Sequence, residues 1–130
     1  MTGGWDPAWA IAQHEAAHTV VAQALGVFVH SARIIDRRGF GQTLIANNQP
    51  PRISAAIDVA GDVWDKAFSD QEYRDVSCDD LRNAVEQVSE AGIWAARRRA
   101  TRILDRHQDE ILHLAKLLLE RGTLVFTAAR

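Results

Sequence analysis

The sequence predicts a mostly helical α+β fold, with a short β-hairpin beside the first helix and a bundle of helices toward the C-terminus. Three observations lead to this prediction. Apolar residues recur at helical spacing near the N-terminus and over most of the second half of the chain. Between these regions lie two short runs rich in β-branched and apolar residues. The 130 residues suffice for one hydrophobic core, so we expect a single domain over residues 1–130.

The first helix is predicted to begin at Pro7 and to end before Gly26. Asp6 is a favoured N-cap, proline is tolerated in the first turn, and glycine is a natural stop. The segment is apolar nearly all round, so we expect this helix to be buried. The residues at helical spacing are Ile11, His14, His18, Val21 and Leu25.

A β-hairpin is predicted directly after this helix. Residues 27–35 and 40–46 have strand-like composition, and residues 36–39 (Asp-Arg-Arg-Gly) are typical of a turn. Residues 47–51 (Asn-Asn-Gln-Pro-Pro) form the clearest loop in the sequence. This loop does not look like a domain linker, because neither half of the chain could bury a core alone.

Helices are predicted for the remainder of the chain. Ser77 has the features of an N-cap, with Asp80 three residues later in the manner of a capping box. Apolar periodicity then continues to the last helix. In chain order, the expected features are a helix over 53–67, a polar connection over 69–75, a helix after Ser77, breaks near Gly92 and near 107–109, and an end at Gly122.

Composition and charge are typical of a cytoplasmic enzyme or binding domain. The net charge is -2 and the pI is near 6.2, so nothing global indicates nucleic acid or an anionic membrane. No apolar run approaches the ~20 residues that a membrane span needs, and the N-terminus lacks the features of a signal peptide. The single cysteine, Cys78, fits a reducing compartment. We therefore expect a cytoplasmic protein with no membrane and no nucleic-acid partner.

The motif His14-Glu15-Ala16-Ala17-His18 indicates a metal site. Two histidines four residues apart on a helix project from the same face, so both imidazoles can reach one Zn²⁺. Glu15 lies to the side, where it can take a proton from a water that the metal activates. The alternative is two structural histidines and a surface glutamate, but uncompensated polar groups on a buried helix are costly. We therefore predict one zinc ion per chain, with His14 and His18 as ligands and Glu15 as the general base.

The motif does not determine which residue is the third zinc ligand. Catalytic zinc usually takes three protein ligands and a water, so a further side chain is required. The candidates are His30, His107, His113 and the carboxylates. No third histidine follows at the short spacing of metzincins, which disfavours that class.

Several segments, taken in order, carry a family resemblance. They are residues 14–22, 32–39, 41–43, 59–61, 77–84, 103–104, 114–120 and 123–124. They resemble the peptidase domain of the FtsH family. The members of that family are membrane-anchored, ATP-dependent zinc proteases. In that family a strand, a basic-glycine turn and a second strand follow the motif helix, and later an alanine-glycine helix and a serine-rich turn lead to an aspartate ligand. The resemblance therefore implies a zinc metallopeptidase in which Asp80 is the third ligand.

The chain also departs from the family pattern. The usual glycine before the second histidine is Ala17, and the family's small-acidic pair after the alanine-glycine helix is replaced by Trp64-Asp65. The sequence holds no ATPase module and no membrane segment. We therefore expect a stand-alone peptidase domain whose substrates are peptides or unfolded protein segments. A homo-oligomer or a partner ATPase is left open.

Two local assignments have alternatives. Asp80 could instead serve as the capping partner of Ser77, in which case Asp79 is the next choice for the third ligand. The arginines of the predicted helix near residues 97–106 are most simply a solvated face, with binding of nucleic acid or an acidic partner as the alternative.

A substrate-binding strand is predicted beside the metal motif. Phe40, Gly41, Gln42 and Thr43 would pair with an extended substrate, because an edge strand offers free backbone partners. Two other functions stay open. One is a non-catalytic, metal-binding interaction module of peptidase ancestry, and the other is a regulatory protease with a single protein substrate.

Overall fold

The computed structural model describes residues 5–71 and 78–127, and for residues 78–81 and 85 it describes the backbone alone. It confirms the mostly helical α+β fold. In chain order, the elements are α1 (Pro7–Ala24), β1 (Val29–Asp36), β2 (Phe40–Ile45), α2 (Pro51–Ala67), α3 (Cys78–Gln87), α4 (Glu90–Arg106), α5 (Gln108–Arg121) and β3 (Thr123–Val125). The predicted cap at Ser77 and residues 72–75 of the predicted connection lie outside the described residues.

Helix α1 occupies the centre of the fold and has the predicted ends. The Asp6 carboxylate accepts a hydrogen bond from the backbone N–H of Trp9 at 3.2 Å, and Gly26 follows the helix with a φ of 78°. Every residue from 10 to 22 is buried, as the apolar composition predicts. In the part of the chain that the structure describes, no helix is long and apolar enough to cross a membrane.

The sheet has three antiparallel strands in the order β2-β1-β3. The predicted hairpin is confirmed, and its turn closes at Gly39, whose φ of 129° favours glycine and whose N–H donates to the Asp36 carbonyl at 3.0 Å. Ala32 on β1 pairs with Thr43 on β2 and with Leu124 on β3. Strand β3 was not predicted, because three residues are too few to show a strand pattern.

The later helices pack around α1 and α2. Helices α2 and α5 pack against α1, and α3 and α4 pack against α2. The break predicted near Gly92 is found at residues 88–89. The Ser89 hydroxyl accepts from the Gly92 N–H at 3.2 Å, so Ser89 caps α4 and Gly92 lies in its first turn. The break at His107 and the end at Gly122 are confirmed.

Candidate metal centre

The three polar residues of the motif lie in the middle of α1 and are almost fully buried. The exposed fraction is 3% for His14, 5% for Glu15 and 6% for His18. The two histidines contact α2, whereas Glu15 contacts β2. Because α1 is packed on both sides, the fold holds an imidazole pair and a carboxylate together in its interior.

The two imidazoles converge on one point. Their Nε2 atoms are 3.1 Å apart, and the rings meet edge to face at 77°. Two histidine nitrogens on one tetrahedral zinc, each at its usual ligand distance, are separated by about 3.3 Å. The helical spacing and the rotamers therefore already produce nearly the separation that a shared zinc ion requires.

The hydrogen bonds of the two Nδ1 atoms determine whether the Nε2 atoms can act as metal ligands. His14 Nδ1 lies 2.7 Å from Asp65 Oδ2, and His18 Nδ1 lies 2.7 Å from the carbonyl oxygen of Ile57. A carboxylate and a peptide carbonyl accept hydrogen bonds, so both Nδ1 atoms donate. In neutral imidazoles both Nε2 atoms then direct lone pairs into the same space, which suits a cation. The donor set therefore fits zinc.

Gly61 on α2 makes room for the first histidine. A Cβ atom at this position would overlap the imidazole ring of His14. The close approach of α2 lets Ile57 and Asp65, one helical turn to either side, reach the two rings. Gly61 is therefore part of the site by virtue of having no side chain.

Glu15 is held by the inner side of β2. The Thr43 hydroxyl donates to Glu15 Oε1 at 2.7 Å, and a Cβ on Gly41 would lie 2.7 Å from Glu15 Cγ. Of the predicted substrate strand, Gly41 and Thr43 therefore face the carboxylate. Phe40 is 69% exposed, and Gln42 accepts a hydrogen bond from the Arg33 side chain on the neighbouring strand.

The predicted third ligand is on α3. The backbone of Asp80 and Asp79 lies in the first turn of that helix, but both side chains lie outside the described residues. Within the part of the chain whose side chains are described, no group of three or more histidine, cysteine or acidic side chains is placed so that it could hold a metal ion. Among the other histidine candidates, His30 packs against Phe28 and His107 bonds to Glu110. Asp80 as a ligand stays a prediction.

A polar network connects Gln13, the residue before His14, to the exposed Asp70 beyond α2. Gln13 is fully buried, and its amide accepts from the Trp64 indole at 2.9 Å and donates to Asp70 at 2.9 Å. The Trp9 indole also donates to Asp70. Burial raises the pKa of Asp70, but hydrogen bonds from Gln13, Trp9 and Gln71 outweigh it, so the pKa lies below its ordinary value. The network joins the residues after α2 to α1 through hydrogen bonds.

Sequence reasoning missed the role of Asp65. The signal was present, because Trp64-Asp65 stands where the resembled family has a small-acidic pair. A contact between residues 51 positions apart has no local pattern, so only the packing of α2 against α1 reveals it. Trp64, which is 1% exposed, fills the core and bonds to Gln13.

No protein-family model matches the chain, and no curated protein matches it. The resemblance to the FtsH peptidase domain therefore stays a proposal that rests on the sequence segments and the geometry of the motif.

Replacing Asp65 with asparagine should weaken zinc binding by about 10- to 100-fold, because a carboxylate that accepts from a ligating histidine fixes its tautomer and raises its basicity. The measurement is competition with a chelator of known zinc affinity. Asp58→Asn on the same helix is the matched control, since Asp58 bonds to Gln87 on α3. Equal affinity in wild type and Asp65→Asn would show that the contact does not support a metal ligand.

Proposed function

We propose that this protein is a zinc metallopeptidase of the FtsH type that hydrolyses peptide bonds. The observation that carries the proposal is the convergence of His14 Nε2 and His18 Nε2 at 3.1 Å, with both outer nitrogens fixed as donors. A carboxylate on the adjacent residue of the same helix completes the motif. Two buried imidazoles whose Nε2 atoms converge on one point are the arrangement that a shared metal ion requires.

The proposed site residues have two roles, metal binding and proton transfer. His14, His18 and Asp80 would hold the metal, and Asp65 and the Ile57 carbonyl orient the two imidazoles. When bound, zinc would lower the pKa of a water and supply a nucleophile at neutral pH.

Glu15 would take a proton from the attacking water and then deliver it to the leaving amine nitrogen. The Thr43 hydroxyl donates to Glu15 Oε1, which fixes the orientation of the carboxylate. Glu15 is therefore proposed as a proton carrier that does not bind the metal.

The free edge of β2 is the proposed site for the substrate backbone. In the described sheet β2 pairs with β1 on one side, and its other edge pairs with no described strand. An extended peptide can add to such an edge through main-chain hydrogen bonds. The inner face of the same strand contacts Glu15, so a peptide paired there would lie beside the proposed base. Peptides and unfolded segments are the substrate class that this geometry favours.

A second candidate function is a metal-binding interaction module without catalysis. The observation that favours it is the low exposure of the centre, since all three motif side chains are 3–6% exposed. Offering casein and a peptide library to the zinc-loaded protein separates the two functions. Cleavage that stops with a chelator and returns with zinc supports the peptidase. Zinc-loaded protein that cleaves none of these substrates contradicts a general peptidase and favours the module or a regulatory protease with a single protein substrate.

Asp80→Ala should weaken zinc affinity strongly, whereas Asp79→Ala should do so much less. Removing a ligand leaves an incomplete coordination shell, whereas consecutive positions of a helix differ in direction by about 100°, so the two aspartates are not expected to reach the same metal. Zinc affinity by chelator competition is the measurement, and each variant serves as the control for the other. Similar affinities in the two variants would show that the third ligand has been misassigned.

A further inference from the structure

Helix α4 carries an exposed aromatic side chain among arginines, which we call the α4 arginine face (Trp94, Arg98, Thr101 and Arg102). Trp94 is 61% exposed. Together with Arg97, these residues line a shallow cavity of about 450 Å³. Spacings of four and eight residues from Trp94 place Arg98 and Arg102 on the same side of the helix.

The α4 arginine face does not contribute to the hydrophobic core. Helix α4 packs inward through Ala96, Ala100 and Leu104, which are all buried. Arg97 has a structural role, because it is half-buried and bonds to the Asp62 carboxylate at 3.0 Å. Among the described residues, no acidic side chain forms an ion pair with Arg98 or Arg102. Two guanidinium groups and an indole are therefore presented together to solvent.

Charge is unevenly distributed along the chain. Helix α4 contains five arginines against Glu90 and Asp105, so its net charge is +3, while the whole chain carries -2. The remainder of the protein is therefore acidic. A cationic face on an otherwise acidic protein attracts a polyanion to one place and repels it elsewhere.

The chemistry of the face selects among polyanions. A guanidinium binds phosphate through paired hydrogen bonds, and an indole stacks on a planar base. Each nucleotide of a single strand carries both groups, whereas an acidic peptide offers carboxylates without a regularly repeated planar partner. We propose that the α4 arginine face binds single-stranded nucleic acid without sequence preference. This inference goes against the expectation of no nucleic-acid partner, takes up the alternative stated for these arginines, and does not depend on the proposed peptidase activity.

Binding of a labelled oligothymidylate of about 12 nucleotides, a usual site size, tests the proposal by fluorescence anisotropy on the full chain. Trp94→Ala should weaken binding about 5- to 150-fold through lost stacking, and Trp94→Phe should recover part of it. The double variant Arg98→Gln and Arg102→Gln should reduce the slope of log affinity against log salt by about 1.4, since each phosphate contact contributes about 0.7.

The matched control is Arg52→Gln with Arg121→Gln, which removes the same charge from exposed arginines outside α4. This control should keep the wild-type salt slope, and circular dichroism should show that every variant is folded. Glu15→Gln should bind the oligonucleotide like wild type. No binding at about 50 mM salt, an equal change in the control pair, or tighter binding of a poly-glutamate peptide would each overturn the proposal.

Discussion

Replacing Glu15 with glutamine should abolish peptide hydrolysis while zinc content and melting temperature stay at the wild-type values. The amide cannot accept the proton from the attacking water, and loss of a positioned general base typically costs ~10² to 10⁴ in rate. The amide oxygen can still accept from the Thr43 hydroxyl, which bonds to Glu15 Oε1 in the native protein, so the fold is preserved. Hydrolysis of casein or of a fluorogenic peptide is the measurement, with zinc analysis on the same samples.

The matched control for this variant is Glu120→Gln, the same change at an exposed position of α5. It should keep full activity. Equal cleavage by wild type and Glu15→Gln would overturn the proposed mechanism. Zinc loss in Glu15→Gln would instead show that Glu15 is a ligand.

Zinc should stabilise the protein, and this stabilisation should disappear in His18→Gln. A metal that binds the folded state alone adds about 2.7 kcal/mol to the free energy of unfolding when its free concentration is 100 times the dissociation constant. The two Nε2 atoms at 3.1 Å are the groups that would bind the metal in the folded protein. Urea unfolding with buffered zinc and with a chelator is the measurement, together with metal analysis, which should give one zinc per chain.

The control for the zinc effect is His113→Gln, because His113 is an exposed histidine of α5. This variant should gain the same stability from zinc as wild type. A wild-type protein that retains less than about half an equivalent of zinc after loading and desalting would contradict the metal centre itself. An undiminished zinc effect in His18→Gln would show that the metal binds elsewhere.

The parts of this protein that sequence predicts are those with local signals. Helix α1 has an N-cap at Asp6 and a glycine stop at Gly26, and both ends are confirmed. The hairpin follows from strand composition and a turn that ends at Gly39. The spacing of His14 and His18 implies a shared face, and the short distance between their Nε2 atoms agrees with it.

The parts that sequence missed depend on contacts between distant elements. Asp65 reaches His14 across two packed helices, and Thr43 reaches Glu15 from the sheet. Strand β3 forms because the chain after Gly122 returns alongside β1. Three residues are too few for a sequence pattern to indicate this pairing. Exposure of Trp94 could not be predicted from residue type, because the hydrophobic effect favours burial of tryptophan.

In the proposed enzyme, strand β2 would link substrate binding to the orientation of the general base. Its inner face fixes the carboxylate of Glu15 through Gly41 and Thr43, and its outer edge is the proposed place for the peptide backbone. Pairing with a peptide would restrain the strand and, through Thr43, the carboxylate as well. Binding energy from substrate residues remote from the cleaved bond would then increase kcat. For such an enzyme, shortening a peptide at the end that pairs with β2 lowers kcat and does not merely raise KM.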